Sequence, residues 1–190
     1  MCEIMQNDSA NKKEMLSFSA STITPVFLIF LVDFSQSMGE NGESGRSRQT
    51  VCMDFINNSI HEILRKCRKT TGIKNWYYVC ALHYENPEIP VIENLLEFKE
   101  DSPEEIKQQI FLSASDFKFC GSYNHSAAGV VEYLKHIPCR GGTPTKEALS
   151  YIDSVIRNFN PKDLIRKANP GRNFNDEEIK PRLVIFHLTD

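Results

Sequence analysis

Phe27-Leu28-Ile29-Phe30-Leu31-Val32-Asp33-Phe34-Ser35-Gln36-Ser37-Met38-Gly39 opens with an unbroken apolar run and then sets out a carboxylate and two hydroxyls at alternate positions. The apolar half has no period-two alternation, so it reads as a strand covered on both faces in the middle of a parallel sheet. In open α/β sheets the ligand crevice lies beyond the carboxyl ends of the central strands, which is where Asp33, Ser35 and Ser37 fall. Carboxylate and hydroxyl oxygens are hard donors that suit Mg²⁺ or Mn²⁺ better than zinc or copper. The same residue types also build turns and cap helices, so the segment by itself serves either purpose.

Two distant segments bear on that choice. Gly141-Gly-Thr-Pro-Thr-Lys-Glu-Ala-Leu149 is a glycine-rich turn that opens a helix, and Leu183-Val-Ile-Phe-His-Leu-Thr-Asp190 is a second apolar strand ending in an aspartate. With these three segments in this order, the chain resembles the von Willebrand factor A (VWA) domain family from about Thr24 to Asp190. That family's metal-ion-dependent adhesion site (MIDAS) uses an Asp-x-Ser-x-Ser turn, a threonine in a second loop and an aspartate at the end of a further strand. The matching positions are Asp33, Ser35, Ser37, Thr143 and Asp190. Family spacing points to Thr143 rather than Thr145, although a helix-capping Thr143 would look the same in sequence.

The resemblance implies a doubly wound, mostly parallel α/β sheet of Rossmann-like type with helices on both faces, spanning residues 23–190. It also implies Mg²⁺ or Mn²⁺ held directly by Ser35, Ser37 and Thr143, with Asp33 and Asp190 acting through waters and hydrogen bonds. So few direct negative ligands leave the ion electrophilic, with a position free for an acidic residue of a partner protein. The Gly-Gly-Thr-Pro-Thr loop is most similar to stand-alone, tellurium-resistance-associated VWA proteins. In the family, the strand matching residues 183–190 is followed by further helices and strands. The domain is therefore expected to be C-terminally incomplete, with that strand an exposed edge through which the chain self-associates or which another chain covers.

Length and composition agree with a single domain: 190 residues, 25% of them charged and 41% apolar. A net charge of −3 without a Lys/Arg stripe gives no footprint for nucleic acid, and Arg65, Lys66, Arg68 and Lys69 read as a helix C-terminal turn. The six cysteines form neither a C-x-x-C pair nor a zinc spacing, so they are expected to be reduced thiols of a cytoplasmic protein. Residues 1–22 read as a flexible leader or an edge strand without a signal-peptide pattern. The apolar run at Val26 to Val32 is far shorter than the roughly 20 residues of a membrane span, so no membrane is expected.

Periodicity supplies the remaining elements. Val51, Phe55, Ile56, Ile60, Ile63, Leu64 and Cys67 make one amphipathic helix from Arg48 to Cys67, with Gly72 as its stop signal. Trp76 to Tyr84 and Ile89 to Leu96 read as a hairpin whose second strand is an antiparallel edge. His83, on this hairpin, has no ligand partner at metal spacing and reads as a structural or surface residue. Ser102 is placed to cap a short helix with Pro103 in its first turn. Ala128, Val131 and Leu134 point to a helix from His125 to His136, and Ala148, Leu149, Ile152, Val155, Ile156 and Phe159 to one from Lys146 to Phe159. Residues 160–180 read as a long polar surface connection.

The principal expectation is therefore a divalent-metal-dependent protein-binding module and not an enzyme. One alternative is a Mg²⁺-dependent phosphohydrolase of haloacid-dehalogenase type with Asp33 as nucleophile. That chemistry needs a second carboxylate two residues on, where this chain has Ser35, and a hydroxyl is a poor proton carrier near neutral pH. A metal-free scaffold is the other. The glycine-rich loop after Met38 lacks the Gly-Lys-Ser/Thr ending of a phosphate-binding loop.

Overall fold

The computed structural model describes residues 20–86, 91–124, 130–175 and 177–190. In chain order its strands are β1 (Val26–Asp33), β2 (Arg68–Lys69), β3 (Gly72–Ile73), β4 (Tyr77–Glu85), β5 (Val91–Asn94), β6 (Leu112–Ser113), β7 (Ser122–Asn124), β8 (Val130–Glu132) and β9 (Arg182–Leu188). The helices are α1 (Arg48–Cys67), α2 (Glu104–Lys107), α3 (Thr145–Asn158) and α4 (Pro161–Ala168). The central sheet runs β5-β4-β1-β9, with β6 also paired to β4. β1 is parallel to both of its neighbours, whereas β5 and β6 are antiparallel to β4. The protein is thus mixed α/β with a mostly parallel sheet.

Every residue of β1 is buried, and alternate side chains enter two separate cores. Val26, Leu28, Phe30 and Val32 pack with Ile56, Ile60 and Ile63 of α1 on one face. Phe27, Ile29 and Leu31 pack with Ala148, Ile152 and Val155 of α3 and Ile165 of α4 on the other. Covering both faces explains why the strand carries no polar alternation. Each of these large apolar side chains contributes roughly 1.5–3 kcal/mol on burial. The chain leaves β1 through α1 to reach β4 on one side, and later passes through α3 and α4 to reach β9 on the other. Strand order therefore reverses at β1, and such a reversal opens a crevice at the strands' carboxyl ends.

The amphipathic stripe of α1 forms as its spacing predicts, with the Ser47 side chain accepting from the Thr50 N–H at the start. The helix ends at Cys67, before Gly72, which instead adopts φ +106° in the β2–β3 hairpin. The antiparallel β4–β5 pair forms, with residues 87–90 of its turn outside the described residues. Residues 1–19, most of the expected leader, also lie outside them.

Three expectations are corrected. The helix expected over His125 to His136 is not formed in its described part: Val130–Glu132 is β8, paired to β7, and residues 125–129 lie outside the described residues. Here α1 side chains take the backbone groups that a helix would have paired internally. Asn57 accepts from the Tyr133 N–H at 2.9 Å and donates to the Val131 carbonyl at 3.3 Å, while His61 Nε2 lies 2.8 Å from that carbonyl. Residues 160–180 are more than a surface connection, because they contain α4, whose Asn160 cap accepts from the Lys162 N–H and whose Ile165 is buried. Ser102 caps nothing: Pro103 holds the cap position of α2, and the Ser102 hydroxyl donates to the Phe119 carbonyl at 2.7 Å.

Candidate metal centre

Asp33 is the last residue of β1 and is fully buried. Its Oδ1 accepts the Ser35 N–H at 2.8 Å, a turn in which the carboxylate replaces a backbone acceptor and bends the chain off the strand. A single 3-10 turn follows over Gln36–Gly39, with Ser35 at its extended cap position and no side-chain capping bond. The Ser35 hydroxyl is therefore not consumed by a cap; it lies 3.2 Å from the Ser37 hydroxyl. Met38 is buried beneath this turn, and Arg48 of α1 donates to the Ser37 carbonyl at 2.8 Å. Local structure and core packing together fix where the two hydroxyls stand.

The second loop is fastened to the first by its backbone. Arg140 N–H donates to the Phe34 carbonyl at 2.8 Å, and Gln36 N–H to the Gly141 carbonyl at 3.0 Å. These bonds bring Thr143 to the strand end, where its Oγ1 donates to Asp33 Oδ2 at 3.1 Å. Pro144 occupies the cap position of α3 without a side-chain capping bond, so the Thr143 hydroxyl serves Asp33 and not the helix.

β9 brings the third segment. Its register sets Leu188 beside Val32, so the next residue, Thr189, falls beside Asp33. The Thr189 Oγ1 donates to Asp33 Oδ2 at 3.1 Å. Sequence reasoning passed over Thr189; the signal was its place one step before the strand-end aspartate, but the register that aims it is not written in the sequence. Asp190 is exposed, and no hydrogen bond among the described residues joins it to Asp33, Ser35, Ser37 or Thr143. Its charge nevertheless reaches the crevice wall at Tyr84.

The electrostatics are those of a buried anion. Burial pushes the Tyr84 phenol up to about 12, with the charges of Asp33 and then Asp190 adding to it. The Tyr84 hydroxyl reaches over β1 to lie 2.7 Å from His187 Nε2. Burial holds the His187 imidazole below its usual value against the upward pull of Asp33. The Cys139 thiol is raised to about 11 by burial and by the charges of Asp33 and Glu85. Among the described residues no lysine, arginine or histidine forms an ion pair with Asp33.

A fully buried carboxylate is costly without a compensating positive charge. The side-chain oxygens of Asp33, Ser35, Ser37, Thr143 and Thr189 come from three segments, and hard oxygen donors of this kind fit a divalent cation such as Mg²⁺ or Mn²⁺. No group of three or more His, Cys, Asp and Glu side chains able to hold a metal ion of any kind occurs among the described residues, so the donors at this strand end are one carboxylate and four hydroxyls. Cys67, Cys80, Cys120 and Cys139 are free thiols, and no helix among the described residues is long and apolar enough to cross a membrane. Compared with protein-family models, curated proteins and solved structures, the chain matches none.

Proposed function

We propose that this chain is a VWA-type, doubly wound module that binds a partner protein through Mg²⁺ or Mn²⁺ at a MIDAS-like strand end. Ser35, Ser37 and Thr143 would hold the ion through their hydroxyls, with Asp33 and Asp190 oriented toward it through water. When bound, the ion supplies a Lewis-acidic position for an acidic side chain of the partner. The chain's own part is to hold the hydroxyls in place: Asp33 tethers Ser35 through its N–H and Thr143 and Thr189 through their hydroxyls. Free thiols fit a reducing, cytoplasmic setting for such a module. With a hydroxyl two residues after Asp33, binding is favoured over phosphoryl chemistry.

The observation that carries this reading is the Asp33 carboxylate, fully buried, hydrogen-bonded on both oxygens and without an ion-pair partner among the described residues. Thermal unfolding with chelator, Mg²⁺ or Mn²⁺ tests it. A ligand that binds only the folded state at a hundredfold excess over its dissociation constant stabilises by about 2.7 kcal/mol. The wild type is expected to gain on that scale in either metal. Asp33→Asn retains hydrogen-bonding capacity and removes the buried charge, so it should melt no lower than wild type in chelator and gain nothing from metal. A wild-type melting temperature unchanged by millimolar Mg²⁺ and Mn²⁺ would reject the site. Capture of a carboxylate-bearing partner should likewise fail in chelator.

A further inference from the structure

β9 is the edge of the central sheet among the described residues. In a parallel ladder, alternate residues turn both N–H and C=O toward the same neighbour. Lys180 and Arg182 donate to the carbonyls of Ile23 and Pro25 at 2.8 and 2.9 Å, so the even-numbered residues face β1. Leu183, Ile185 and His187 therefore turn their backbone groups outward. Natural edges are blunted by charge, proline or a bulge. Between Arg182 and Asp190 this strand carries no lysine, arginine, acid or proline, its register against β1 is unbroken, and Leu183 and Ile185 are 42% and 43% exposed.

We propose that a second copy of this chain pairs with this edge, β9 against β9, antiparallel about a twofold axis at Phe186. In that register Phe186 faces Phe186, Ile185 faces His187, Val184 faces Leu188, Leu183 faces Thr189 and Arg182 faces Asp190. Residues with outward-turned backbone groups meet each other, as hydrogen-bonded pairs require. Each end of the ladder closes on an opposite-charge pair, Arg182 with Asp190, repeated by the twofold. Moving the axis to Ile185 would set Pro181, which has no N–H, in a hydrogen-bonding position opposite Thr189. Moving it to His187 would set Asp190 opposite Val184 and part it from Arg182. The charges and the proline thus select one register, which joins two sheets into one.

Light scattering across a dilution series, carried out in chelator so that an ion at Asp33 plays no part, tests the pairing. The wild type should show twice the mass of one chain. Ile185→Lys, at an exposed position, should show the mass of one chain and melt as the wild type does when diluted below its dissociation constant. Arg182→Asp should raise the dissociation constant about tenfold or more, and adding Asp190→Arg to it should restore pairing. A single-chain mass for the wild type at every concentration, or a dimer indifferent to Ile185→Lys, overturns the proposal. Failure of the charge exchange to restore pairing overturns the register.

Discussion

At Gly141 the backbone holds φ at +60°, and a Cβ there would stand 3.2 Å from the Asn86 Cα. The residue also offers the carbonyl that binds Gln36, so its conformation sets how the second loop meets the first. Gly141→Ala is expected to cost about 1–2 kcal/mol from the left-handed backbone alone, read as a lower urea midpoint. It should also weaken any metal-dependent stabilisation, because Thr143 hangs from this loop. Asp33, Ser35, Ser37 and Thr143 could be named from the sequence because their chemistry and their places at strand ends and helix starts are local properties. Thr189 could not, since only the register of β9 against β1 turns its hydroxyl toward Asp33. Asp190 was named from the same pattern, and the structure leaves it exposed beyond the strand.

Among the elements, the long regular ones were legible and the short ones were not. β1 and α1 each repeat one burial pattern over enough residues to override local ambiguity. α4 is only 8 residues long and mostly polar, so its apolar stripe is too brief to stand out from a loop. Its start was marked all the same, by Asn160 at the cap and Pro161 in the first turn. Ile165 is fully buried in the core under α3 and α4, so Ile165→Ala should cost about 2–5 kcal/mol by denaturant unfolding, a loss that a loop residue would not produce. β8 misled in the opposite direction. Val131 and Leu134 have a helical spacing, but the segment's hydrogen bonds are made by Asn57 and His61, which lie seventy or more positions earlier.

For the molecule as a whole, two histidines tie stability to pH. His83 is buried against Phe34, neither ring nitrogen has a hydrogen-bond partner, and burial lowers its pKa below 6.5 despite the nearby Glu93, with Lys135 lowering it further. His187 is lowered in the same direction. Between these depressed values and 6.5 the unfolded chain binds more protons than the folded one, so stability rises with pH. Their contribution is complete above 6.5 and is lost as pH falls through the window. His83→Phe should flatten the slope when urea midpoints are compared from about pH 5 to about pH 8. The pairing of β1 with β9 also has a meaning in time. Thr189 follows Asp33 by 156 positions, and a ribosome adding about 5–20 residues per second needs roughly 8–30 s to travel that far. Throughout that interval the most apolar strand among the described residues is already made while one flank has no partner, so the nascent chain is at its most adhesive before its crevice exists.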